Sequence, residues 1–250
     1  MRFVPIIFSI FLAASAVSAQ PTTPSADDLG RVMFDNLAGD GALQRARYFS
    51  FTFTVLKDGK VVASFPQKWD RLTGDYFVSG RRADGLPFEA TINVAKKSIH
   101  GSVEGRTLTN PDELKSLYQL AEARYVNDTL WLLMPLRIFD PGFYRAYDGP
   151  RTDTCGHTWD LLKVTVEVEK GKVTATYWPW INRDTHLVDE WDMKLESMPA
   201  DSQPIEVVFH DYRRIDGLLI SVRREVRGQN QTVRLDDLKI LPDVPKDAFK

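Results

Sequence analysis

The chain has 250 residues, 32 Lys and Arg against 34 Asp and Glu, and 43 % hydrophobic residues, the balance of a globular protein rather than a disordered or fibrous one. A formal net charge of -2 lacks the basic excess that neutralising nucleic-acid phosphates requires, so no nucleic-acid partner is expected. One Cys excludes an internal disulfide framework and a Cys-rich zinc site.

Met1 and Arg2 form a short positive end, Phe3–Leu12 is an apolar run broken by Pro5 and Ser9, and small residues follow to Ala19. Val17 and Ala19 occupy the positions a signal peptidase reads, which predicts a leader over 1–19 and cleavage between Ala19 and Gln20. The apolar core falls short of the ~20 residues that span a bilayer, and the longest later run, Leu130–Leu136, is shorter still. The chain is therefore expected to be periplasmic or secreted, soluble and not an integral membrane protein. A polar linker follows over 20–25, then one domain over 26–250.

Ser25, with Asp28 three residues on, starts a short amphipathic helix marked by Leu29, Val32, Met33 and Leu37 and ended by Gly39–Gly41. From Arg47 the apolar period changes to two: Phe49, Phe51, Phe53 and Val55 share a face. Asp58-Gly59 turns into a return strand with Val61, Ala63, Phe65 and Trp69 on one face. Tyr76–Arg82, Phe88–Val94 and Ser98–Glu104 complete five strands with short connections, an antiparallel meander. Asn110-Pro111-Asp112-Glu113 opens a second helix with Leu114, Leu117, Tyr118, Ala121 and Tyr125 as its buried stripe. Asn127 and Asp128 read as the cap that ends it before Trp131, and Gly149–Thr158 reads as a loop.

Strands return with Leu162, Val164, Val166 and Val168, then Val173–Ile181, then a strand with Leu187, Asp189, Trp191, Met193 and Leu195 on one face. Ile205–Ile215 and Leu218–Arg227 form a hairpin about Asp216-Gly217. In Gln231–Leu241 the apolar phase slips, which predicts a bulge at Asp236-Asp237. Arg213, Arg214, Arg223, Arg224 and Arg227 stand among acids and read as a solvated mixed-charge face. The expected fold class is mainly β (α+β). About ten or eleven strands form a strongly curved antiparallel sheet whose apolar concave face is plugged by two helices, because so many strands curl rather than stay flat.

The stretch Asn127-Asp128-Thr129-Leu130-Trp131-Leu132-Leu133-Met134-Pro135, followed by Asp140-Pro141-Gly142, resembles exported bacterial proteins of the lipoprotein-carrier-like superfamily. The likeness is greatest to its outer-membrane lipoprotein-sorting-like branch, which has no established activity. The layout of leader, helix, hairpins, central helix and further hairpins, ending near Val244–Phe249, matches as well. The resemblance implies an unclosed β-barrel lidded by helices, with a hydrophobic cavity. It also makes Asn127, Asp128, Pro135, Asp140, Pro141 and Gly142 a structural motif. Cys155-Gly156-His157 departs from the branch's pattern.

The candidate ligand-lining residues are large and apolar: Phe51, Phe53, Trp69, Trp131, Met134, Trp178, Trp180 and Trp191. In Tyr177-Trp178-Pro179-Trp180-Ile181 both faces are apolar. Either one face lines a cavity and the other packs under a helix, or both are core. Burying a fourteen-carbon chain contributes about 10 kcal/mol gross, before ordering costs. The four His are scattered, and no nucleophile elbow, zinc motif, phosphate loop or dinucleotide fingerprint is present, so no catalytic residue, metal or cofactor is assigned. The expected function is non-enzymatic binding of a hydrophobic small molecule or lipid, including lipoprotein acyl chains, on the concave face. The alternatives are an envelope module with a packed core that binds a protein partner, and an exported hydrolase using rim acids such as Asp236 and Asp237.

Overall fold

Ser25 caps the first helix as its spacing predicts, its Oγ accepting the Asp28 N–H at 3.4 Å; α1 (Ala26–Ala38) buries Met33 and Leu37, and a single turn, α2 (Ala42–Arg45), follows. The computed structural model describes residues 24–169 and 171–249, so the expected leader and its cleavage point lie outside the described residues. Thirteen strands then form one antiparallel sheet that does not close. The first six are β1 (Tyr48–Lys57), β2 (Lys60–Asp70), β3 (Asp75–Arg81), β4 (Pro87–Asn93), β5 (Ser98–Val103) and the short β6 (Arg106–Thr107). After α3 (Pro111–Leu133) and a 3-10 turn (Met134–Arg137) come β7 (Phe143–Thr152), β8 (Thr158–Glu169), β9 (Lys172–Asn182) and β10 (Val188–Leu195). The last three are β11 (Ile205–Ile215), β12 (Leu218–Val226) and β13 (Gln231–Leu241).

The spatial order is β6-β5-β4-β3-β2-β1-β13-β12-β11-β10-β9-β8-β7. Two consecutive meanders are thus joined by pairing the first strand with the last, through Phe53↔Leu235 and Val55↔Val233. This leaves β6 and β7 at opposite ends of the sheet. The chain passes from one end to the other through α3, whose 23 residues reach about 34 Å, so the helix lies across the open side. It packs on β3, β4 and β5, while α1 covers β7 and β12. Phe49, Tyr76, Ile92, Leu132, Leu162, Val188 and Val207 belong to the single core between sheet and helices.

Several expectations are corrected. The strands number thirteen because the short β6 and the edge strand β7 add to those expected: of the stretch read as a loop, 149–152 belong to β7 and 153–157 turn. Gly149 and Pro150 look like breakers, yet β7 is an edge strand, where Pro costs no ladder bond, and Gly149 at φ 92° makes a bulge opposite Leu161. Asn127 and Asp128 do not end α3, which runs on to Leu133. It stops before Pro135, which cannot donate back to the preceding turn. The Asp140-Pro141-Gly142 segment is a turn, the Phe143 N–H donating to the Asp140 carbonyl at 3.1 Å with Gly142 at φ 85°. At Asp236-Asp237 the β1 register slips, as the apolar phase requires. A second slip after Val188 turns Val188 inward and frees Asp189 to accept from Trp159 Nε1 and Asn182 Nδ2, both at 2.8 Å. Among the described residues no helix is long and apolar enough to cross a membrane.

Candidate functional site: the clefts along helix α3

The centre of the concave face is solid. Phe51, Phe53, Met134 and Trp191 point inward but are 2 %, 3 %, 1 % and 0 % exposed, packed on other side chains of the core. Trp131 is half-buried and meets the Phe53 ring edge-on at 6.4 Å. Trp69 packs on Tyr125 at 5.8 Å and borders a cleft beside the C-terminal half of α3. Trp178 and Trp180 do not line the interior. In β9 the inward positions are taken by Tyr177, Pro179 and Ile181, which puts both indoles on the outer face. There Trp180 Nε1 donates to Asp192 at 3.0 Å and its ring packs against Trp159. An apolar sequence on both faces carries no sign of which face is inside, and the phase is fixed by pairing with Val164 and Met193 on the neighbouring strands.

Free volume lies on the flanks of α3. The larger cleft, about 820 Å³, has residues 61–66 of β2 and 79–81 of β3 as one wall and Leu120 and Arg124 of α3 as the other. It exists because β2 and β3 share only a short ladder, from Trp69↔Tyr76 to Gln67↔Val78. Beyond it Pro66 has no N–H to extend the pairing, and the Phe65 ring folds over Gly80, where a Cβ would meet its Cδ1 at 2.5 Å. A bulge at Val62 changes the phase of the strand tip: Val61 pairs with Leu56 rather than continuing the face of Ala63 and Phe65. Val61 and Val62 are left 57 % and 61 % exposed at the cleft's rim. The second cleft, about 320 Å³, is bounded by Trp69, Tyr125, Leu133 and Leu136 with Arg71 and Arg137 at its edge.

Beneath the helix a polar network crosses the apolar floor. Asp128 is fully buried and accepts from Arg124 Nε at 2.9 Å and Nη2 at 2.6 Å, from Asn127 Nδ2 at 2.7 Å, and from Gln67 Nε2. Gln67 in turn accepts from the Tyr76 hydroxyl at 2.7 Å. Burial pushes the Asp128 carboxyl above its usual range, with the Arg124 charge and the three donors pulling it back. The Arg124 guanidinium lies 4.0 Å over the Phe65 ring and faces the larger cleft. Of these residues the sequence reading singled out Asn127 and Asp128 and assigned them to a cap. The missed signal is spacing: Asp128 falls on the stripe of Leu114, Leu117 and Ala121, and Gln67 alternates with Phe65 and Trp69. Cys155 is exposed in the turn after β7, and among the described residues no group of three His, Cys, Asp or Glu is placed to hold a metal ion.

Two further groups depart from their expected settings. Arg224, read as part of a solvated face, is 1 % exposed and lies over the Phe209 ring at 4.5 Å, with Nε and Nη1 unpartnered. On the outer wall, burial and the neighbouring Asp192 push the Glu190 carboxyl up to about 7, although Arg227 pairs with it at 2.7 Å.

No protein-family model and no curated protein matches the sequence. Among solved structures, a DUF1329 family protein from Desulfovibrio piger superposes with a TM-score of 0.50 at 16 % identity, over 91 % of this chain and 98 % of that one. A LolA superfamily protein from Nitrosomonas europaea gives a TM-score of 0.52 at 10 % identity, again over 91 % and 98 %. At such identities the likeness concerns the fold. The chain shares the fold of these two proteins, an unclosed antiparallel sheet lidded by helices.

Proposed function

We propose that this chain is an exported, non-enzymatic binding protein that takes a hydrophobic ligand, a lipid or the acyl chain of a lipoprotein, beside α3. The binding surface expected at the centre of the trough moves to its flank: the concave face supplies the floor, and the cleft between α3 and the tips of β2 and β3 supplies the space. The observation that carries this reading is the half-open, mostly apolar cleft of about 820 Å³, within the range of small-molecule sites, with two valines exposed at its rim. Protein purified from cells and extracted with organic solvent should release lipid, and native mass spectrometry should show the same mass bound. Val62→Asp changes an exposed side chain and should reduce the bound fraction while leaving the fold intact. Lipid absent from every preparation, with no uptake of a fluorescent fatty acid, would end this reading. The solid centre of the concave face favours a second one, an envelope module with a packed core that binds a protein partner, and that outcome would leave it standing.

A further inference from the structure

The wall of the larger cleft is chemically one-sided. Among the residues that line it are three arginines, Arg81, Arg82 and Arg124, and no Asp or Glu, in a chain whose acids outnumber its bases. Arg124 is held from behind by Asp128 and keeps its face over Phe65 toward the cleft. Arg81 donates to the Gly85 carbonyl at 2.8 Å and has no carboxylate partner among the described residues. Arg82 pairs at 2.9 Å with Asp84, which stands outside the wall, and both side chains remain more than 40 % exposed. Each guanidinium therefore has unused N–H donors beside an apolar surface made by Val62, Phe65, Pro87 and Leu120. A purely apolar guest would leave these donors facing hydrocarbon, whereas an anionic group at the arginines with a hydrocarbon chain along the valines satisfies both halves of the wall.

We propose that the cleft selects an amphiphile with one apolar chain and an anionic head, a carboxylate or a phosphate monoester, with Arg81 and Arg82 receiving the head. This inference rests on the reading that the α3 cleft is the binding site. The test compares three probes of equal chain length on the delipidated chain: oleate, 1-oleoylglycerol 3-phosphate and uncharged 1-oleoylglycerol, each below its aggregation concentration. At least one of the two anions should bind about tenfold or more tightly than the neutral probe, and added salt should narrow that ratio. In the double variant Arg81→Gln/Arg82→Gln the ratio should fall toward one, with an unchanged circular dichroism spectrum. Preference for oleate alone or for the phosphate alone identifies the head group; preference for both leaves the shared chemistry as stated. Equal affinity for all three probes overturns the anionic selection and leaves hydrophobic binding in place. A ratio that persists in the double variant overturns the role of these two arginines. Failure of all three to bind a folded chain removes the underlying reading instead.

Discussion

Arg224 stands on the inward face of β12 with no carboxylate paired to it among the described residues. Its Nη2 donates to the Leu132 and Ser221 carbonyls at 3.5 Å and 3.3 Å, and burial lowers its pKa to about 10, so it remains charged at neutral pH. An unpaired buried cation is a cost to folding, and an apolar side chain of similar length removes it. Arg224→Met should raise stability by about 1–3 kcal/mol, read from the urea midpoint; a lower midpoint would show that the charge is compensated in solution. Glu190 carries the opposite burden. It faces Asp192 on its own strand, Trp180 on β9, and Glu206 and Arg227 across β11. Its carboxyl titrates at about 7 in the folded chain against an ordinary 4.5, so between those values the folded form holds a proton that the unfolded form has released. The stability contributed by protonation is full below about 4.5 and lost as pH rises to 7. Glu190→Gln should flatten that decline and melt higher than the parent at pH 8, by about 2–4 °C for 1 kcal/mol; a pH profile unchanged by the substitution would remove Glu190 as its source.

Helix α3 is bound to the sheet by apolar contacts and by one polar anchor. Leu117 and Ala121 pack on the floor, Tyr125 sits between Trp69 and Tyr76, and Asp128 links α3 to Gln67 of β2. Removing the carboxylate strands the Arg124 charge and leaves Gln67 without its acceptor. Asp128→Ala should therefore cost about 3 kcal/mol, a fall in melting temperature of about 6–12 °C, and thermal melts of the two forms measure it. A loss below 0.5 kcal/mol would make the network incidental. The start of this helix was legible from Asn110 and Pro111, since capping is a local matter of side-chain oxygens and missing N–H groups. Its end was not, because Asn127-Asp128 is a helix breaker only where the side chains bond back to their own backbone. Here Asp128 is claimed by Gln67 of β2 and by Arg124 of the same helix, and the Asn127 side chain donates to Asp128 rather than to the backbone. Strand β7 was missed for the same kind of reason: Gly149 and Pro150 break a central strand and are tolerated at an edge.

At the scale of the whole molecule, one sheet of thirteen strands is held in a single curve by the β1–β13 seam and by a helix that connects its two free ends. Ligand bound beside α3 touches the helix and the first meander together, so occupancy should stabilise the chain as a unit. At a hundredfold excess over Kd a ligand contributes about 2.7 kcal/mol, which for a chain of this size raises the melting temperature by about 5–10 °C. Differential scanning calorimetry with oleate tests this, and a saturating ligand that leaves the transition unmoved would place binding outside the folded state.

The sequence by itself determined the strand periods, most of the turns, the helix starts and the mainly antiparallel class, because each is a property of neighbouring residues: alternation, a Gly or Asn at a turn, a cap beside its helix. Tertiary structure decided which face of an apolar strand is inside, as for Trp178 and Trp180, and which polar groups are buried, as for Arg224 and Asp128. It also decided where volume is left over. A cavity is the difference between the space enclosed by a curved sheet and the side chains that fill it, and that difference depends on register, on the bulge at Val62 and on the short β2–β3 ladder, none of which any single stretch of residues contains.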